Sequence, residues 1–323
     1  MYIGHGLLGF ALGGLLSRRL TATRSRALSL AFLAGGFGMV PDVDLAYTLY
    51  VVVQVGPQNL FPTTEHVWAQ AGSWAVHRAL THSLVVGLLG AGFVCLLGAV
   101  RAGTDRTRQA LSGIGLLVVV GLLYAIVLSS HERLGAVTIT LYLLACSGLT
   151  VAGLRRAVPS RLIALAAAVG LLSHPFGDFF MGSPPTLLYP LSSVGPESKL
   201  ALASDPTVNL VLLFSLEVVL AWAAIWTYLS LRGRRLGEFV TSRAVLGTGF
   251  AVAALYIQPP TLDLAYHFAL GAIGTGLVIG AVPSLATSDG IDRETALRGL
   301  GTSLATVTFA LGGYLVGYVL LTP

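Results

Sequence analysis

Long apolar runs follow one another along almost all of this 323-residue chain, separated by short loops that carry arginine. A bilayer core takes roughly 20 residues of helix to cross, and only helices or closed barrels satisfy their backbone groups inside it. The runs fall at 3–20, 26–41, 76–100, 109–129, 135–154, 160–180, 206–231, 242–258, 262–284 and 299–321. They predict an all-α, polytopic transmembrane helical bundle of about ten spans. Residues 44–56 form a further apolar run, too short to cross alone, which reads as a re-entrant or interfacial helix. The first run starts at residue 3 with no basic stretch ahead of it, so it reads as a span rather than a cleavable signal. Composition excludes the alternatives. Apolar residues make up 55% of the chain and charged residues 10%, with mean hydropathy +0.82. Soluble domains carry roughly 25% charged residues. An ordinary soluble domain, a disordered chain and a disulfide scaffold are all excluded. Cys95 and Cys146 lie within apolar runs and read as small buried hydrophobes.

Arginine sets the orientation. Of the 19 Lys and Arg residues, all but Arg78, Arg133 and Lys199 fall in alternate loops. These loops hold Arg18, Arg19, Arg24 and Arg26; Arg101, Arg106 and Arg108; Arg155, Arg156 and Arg161; Arg232, Arg234, Arg235 and Arg243; and Arg293 and Arg298. The positive-inside rule puts them in the cytoplasm and both termini outside. The expected location is the plasma or inner membrane. The net charge of +5 is therefore a topology signal. No helix-turn-helix pattern accompanies it, and no nucleic-acid binding is predicted.

Ionisable residues in or beside spans are costly and mark function. Four clusters stand out: His5; Pro41-Asp42-Val43-Asp44; His77-Arg78-Ala79-Leu80-Thr81-His82-Ser83; and His174-Pro175-Phe176-Gly177-Asp178. In the ten-span scheme all four lie at the outer membrane face. The scheme was built without them, so their convergence supports it. Imidazole nitrogen with carboxylate oxygen suits zinc, manganese or iron better than calcium. His174 and Asp178 are four apart and share one helix face. His77 and His82 are five apart, about 140° around a helix, and face one centre only if the winding is irregular or a helix starts between them. Asp42 and Asp44 alternate and point the same way if the stretch after Pro41 is extended. Two ions with a bridging carboxylate, or one ion with some groups behind its ligands, both fit the count.

These motifs, in this order, resemble those of the YdjM-type family of LexA-binding, inner-membrane-associated, metal-dependent hydrolases. That family carries an N-terminal His, Pro-Asp-x-Asp, His-Arg-x-x-Thr-His-Ser, and His-x-x-x-Asp followed by an apolar-aromatic-Pro element, here Leu187-Leu188-Tyr189-Pro190. The chain departs at Ala79, where members often have Gly, and at Met181, where they have Thr. The resemblance implies a hydrolase core over 1–198, with 199–323 as additional helices of the same membrane domain.

The roles that follow are these. His5, Asp42, His77, His82, His174 and Asp178 are the candidate metal ligands, for one or two divalent ions: Zn2+ first, Mn2+ or Fe2+ next. Asp44 takes a proton or supports a ligand histidine, Arg78 holds a phosphate oxygen, and Thr81 offers a hydroxyl to ligand or substrate. The expected substrate is an ester or phosphoester of a membrane lipid or another amphiphilic small molecule. The alternatives are a non-catalytic metal-binding membrane protein, or a transporter. A transporter needs ionisable groups along a path through the bilayer, and Glu217 is the one mid-span carboxylate. Asp263 and His267, at the outer start of the ninth run, are weaker candidates for a supporting role.

Overall fold

The computed structural model describes residues 2–21, 23–45, 76–103, 105–129, 132–180, 184–196, 198–261, 265–282 and 292–321. The regular elements among them are all helical. The chain divides into two compact units, Met1–Leu200 and Ala201–Pro323.

The first unit holds α1 (Tyr2–Leu20), α2 (Arg24–Met39), a 3-10 segment (Val40–Leu45), a π-helical segment (Val76–Thr81), α3 (Leu84–Ala102), α4 (Arg106–Leu128), α5 (Glu132–Arg155), α6 (Ser160–Gly177) and a 3-10 turn (Asp178–Phe180). Small residues set its closest approaches. A Cβ on Gly13 would lie 2.5 Å from Ala34 Cβ, and one on Gly38 would lie 2.7 Å from the His5 carbonyl oxygen. Helices in lipid associate through such close packing, because burying apolar surface away from water contributes nothing there. Phe37, Leu80, Val86, Leu123, Tyr142, Ile163 and Leu171 fill the core of this unit.

The second unit holds α7 (Pro206–Leu231), 3-10 segments Leu236–Phe239 and Ser242–Val252, α8 (Ala253–Tyr256), α9 (Ala265–Gly276), a π-helical segment (Leu277–Ala281) and α10 (Arg293–Leu321). Val211, Phe268, Val307 and Tyr314 lie in its core. Asp205 caps α7 through Val208 N at 2.8 Å, with Pro206 just inside the helix, the arrangement expected at an N-terminus.

Six stretches among the described residues are long and apolar enough to cross a membrane: Leu84–Ala102, Arg106–Leu128, Gly135–Arg155, Ser160–Phe180, Pro206–Leu231 and Arg293–Leu321. Three of the expected runs are not single α-helices. The run 76–100 is broken at Ser83, whose backbone is extended and whose hydroxyl accepts from Val85 N at 3.0 Å and Val86 N at 3.4 Å. A serine at the head of an apolar run is an N-cap, so α3 starts there. The run 242–258 is mostly 3-10 helix over Ser242–Val252, which rises about 2.0 Å per residue. Gly247 lies directly against the Thr306 carbonyl of α10, an approach a side chain would block. The run 262–284 turns from α to π at Leu277. The short run 44–56 is described only to Leu45, and 56–75 lies outside the described residues. Residues 184–205, rich in proline, carry no helix where described, as their sequence predicts.

Candidate metal centre

Helix α6 is the anchor of the site. It packs against α2 because Gly170 has no side chain: a Cβ there would meet the Ala34 carbonyl and lie 2.5 Å from Gly38 N. That approach lets His174, one turn further on, donate from Nδ1 to the Gly38 carbonyl at 2.7 Å. A carbonyl only accepts, so the proton is on Nδ1 and Nε2 carries its lone pair inward. Pro175 sits in the last turn of α6, after which the chain tightens into 3-10 winding at Asp178. Asp178 Oδ2 comes within 3.5 Å of His174 Nε2, the shared face expected from their spacing.

His82 enters from the break between the π segment and α3. Its Nδ1 lies 3.0 Å from Thr81 Oγ1, and its Nε2 lies 2.9 Å from Asp178 Oδ2 and 2.9 Å from His174 Nε2. The break is held by Ser83, which donates to the Tyr189 carbonyl at 2.5 Å, and by Leu84 N, which donates to the Leu187 carbonyl at 2.8 Å. The loop carrying Leu187 to Pro190 is thereby stitched beside the histidine. Asp42 arrives from the 3-10 segment, with Oδ1 3.5 Å from His82 Nε2 and 3.7 Å from His174 Nε2. His5, on α1, places Nε2 3.5 Å from Asp178 Oδ1, and its ring lies 3.9 Å from that of His174.

The donor set fits a metal. Four inward atoms, Nε2 of His82 and His174, Oδ1 of Asp42 and Oδ2 of Asp178, lie 2.9 to 3.7 Å apart in the pairs just given. Ligands about 2.0–2.1 Å from a tetrahedral zinc are about 3.3 Å from each other. His174 Nε2 and the carboxylate oxygens turn their lone pairs toward one small volume, and a cation there relieves their repulsion. Asp42 Oδ2 and His5 Nδ1 are buried and make no hydrogen bond among the described residues, which is costly unless the group serves another purpose. Two overlapping triads, His5–Asp42–His174 and His82–His174–Asp178, each bring their donors within 4.8 Å of one another. They share His174, so both one-ion and two-ion occupancy fit.

Burial raises the Asp42 pKa, and the His82 hydrogen bond with the surrounding imidazoles brings it below the ordinary carboxylate value.

The structure thus brings together His5, Asp42, His174 and Asp178 from four elements, and His82 from the break ahead of α3. Thr81, expected to present a hydroxyl to ligand or substrate, is buried against His82. The side chains of His77, Arg78 and Asp44 lie outside the described residues, as does Asp263. The backbone corrects one expectation: Pro41 is followed by 3-10 helix rather than an extended stretch. At about three residues per turn, the alternation that put Asp44 on the side of Asp42 does not apply. Gly38 and Gly170 were missed as parts of the site. Their signal was only that each lies within one turn of a ligand motif. His267 is exposed on α9, in the second unit.

No curated protein and no solved structure matches the chain. The model of one family, described as YdjM inner membrane protein, matches residues 1–259, beyond the last of the motifs. It spans every element of the cluster, and with the apolar helices it makes this a multi-pass inner-membrane protein: the chain belongs to the YdjM family.

Proposed function

We propose that this protein is a metal-dependent hydrolase acting on an ester or phosphoester of an amphiphilic substrate, from a site at the outer face of the inner membrane. The observation that carries the reading is the convergence of His5, Asp42, His82, His174 and Asp178, with donor atoms at ligand spacing. When bound, a divalent metal, zinc before manganese or iron, supplies Lewis acidity that polarises the scissile bond and acidifies water. The chain's own groups do the rest. Gly38 and Thr81 hold the imidazoles with Nε2 inward, the role that hydrogen-bonded partners of ligand histidines play. Arg78 gathers a phosphate oxygen, for which its planar guanidinium is suited. The apolar helices that carry the cluster support an amphiphilic substrate.

The test is hydrolysis of a panel of lipid phosphoesters, phosphatidic acid and isoprenoid phosphates among them, by zinc-loaded protein in mixed micelles. Turnover in the wild type and its loss in Arg78→Gln with zinc retained is the expected result. Zinc bound in both with no turnover of any ester would make the site a metal staple.

The arginine distribution supports the ten-span topology and the outer location. Leu191, 79% exposed in the loop stitched to Ser83, reports on it. Leu191→Cys in a Cys95→Ser background is expected to react with an impermeant maleimide added to intact cells. Reaction only after permeabilisation would invert the topology.

A further inference from the structure

A cavity of about 560 Å³ opens beside Asp42, between the end of α2 and the middle of α5. Its walls are Gly36, Met39 and Val43 on one side and Ala145, Gly148 and Leu149 on the other. Among the described residues, Asp42 is the one ionisable group that lines it, and Asp42 also faces His82 and His174. From Gly36 to Asp42 the wall runs about 10 Å at helical rise. The opposite wall belongs to Gly135–Arg155, one of the six membrane-crossing stretches, and Met39 at the rim is 48% exposed. Glycines line both walls. Gly36 sits against Leu149, where a Cβ would come within 3.0 Å of Cδ2, and a Cβ on Gly148 would meet nothing within 4 Å.

We propose that this cavity is a lateral groove that seats the hydrocarbon chain of the substrate, with Asp42 at its polar end. The assignment rests on the hydrolase reading for what happens at that end. An open apolar hollow walled by a membrane-crossing stretch is not left to water, which has no partners there, nor left empty, which forfeits dispersion contacts. Hydrocarbon fills it. A chain lying along α2 and α5 with its first atoms at Asp42 delivers its ester linkage to the His/Asp cluster, and the bilayer continues the path for the rest of the chain. The substrate class is therefore a lipid, and the groove selects for an unbranched or slender chain next to the headgroup.

The probe is phosphatidylglycerol carrying a diazirine in one acyl chain, at trace level in phosphatidylcholine nanodiscs holding the full-length protein. Cross-linked residues are mapped by mass spectrometry, and bound zinc is measured on the same samples. Labelling is expected to concentrate on Met39, Val43, Ala145 and Leu149 over Leu117, which is 73% exposed on α4. Gly148→Phe, which fills the hollow, is expected to lose that enrichment, and Gly148→Val to lose part of it, both with zinc unchanged. Gly121→Phe, at an open position on α4 where a Cβ also meets nothing within 4 Å, is expected to keep it. Labelling spread evenly over lipid-facing residues, or enrichment that survives Gly148→Phe, overturns the groove. Enrichment in a wild type that binds no zinc upholds the groove as a lipid site and overturns the hydrolase reading instead.

Discussion

Asp42→Ala and His174→Ala each lose the metal that the detergent-purified wild type is expected to retain, about one or two equivalents by elemental analysis. The two residues lie on different elements, far apart in sequence, and meet at 3.7 Å. Each removal takes a donor from a set whose members share one small volume, and in either variant the remaining buried charges lose a partner. Thr81→Val should be milder. It leaves all donors in place but removes the hydroxyl 3.0 Å from His82 Nδ1; loss of such an orienting partner weakens metal affinity about 10–100-fold. Asp105→Ala, which removes an exposed cap at the start of α4, should leave metal content unchanged. Equal metal in all four proteins would end the shared-site assignment, and no metal in any of them after reloading would leave the cluster a polar network.

The residues of this cluster were legible in the sequence because charge in an apolar chain is conspicuous. His5, Asp42, His82, His174 and Asp178 stand out wherever they fall, and the helical spacing of the last pair gives their shared face directly. The winding of the connecting segments was not legible. Nothing in Pro41-Asp42-Val43-Asp44 distinguishes an extended stretch from a 3-10 turn, since proline is tolerated in both. The break at Ser83 was within reach, because a serine ahead of Leu84-Val85-Val86 is a capping signal. The apolar pattern of 242–258 shows length and hydropathy, and 3-10 winding there depends on contact with α10 through Gly247, which no local pattern records. The glycines beneath the site were hidden for the same reason. Gly is common in membrane helices, and only the positions of α1 and α6 against α2 separate Gly38 and Gly170 from those that touch nothing.

That separation gives a test with opposite signs. Gly121→Ala on α4 places a methyl in open space, and the gain in helix propensity is up to about 1 kcal/mol. Gly170→Ala makes the same chemical change with the same propensity gain. Its methyl, however, meets the Ala34 carbonyl and lies 2.5 Å from Gly38 N and 2.7 Å from Phe37 Cβ. Two of those contacts are backbone and cannot swing aside. Overpacking of this kind costs about 1–3 kcal/mol, and the helices can relieve it only by separating. Separation stretches the 2.7 Å bond from His174 Nδ1 to the Gly38 carbonyl, leaving a buried donor unsatisfied at a further cost of about 1–3 kcal/mol. The sum exceeds the propensity gain, so Gly170→Ala should lower the thermal midpoint in detergent while Gly121→Ala leaves it level or raises it. Metal affinity should fall with it, because His174 loses the contact that fixes its tautomer and aims Nε2. If Gly170→Ala matched Gly121→Ala in midpoint and kept wild-type zinc affinity, the close approach of α2 and α6 would not be what holds His174 in the cluster.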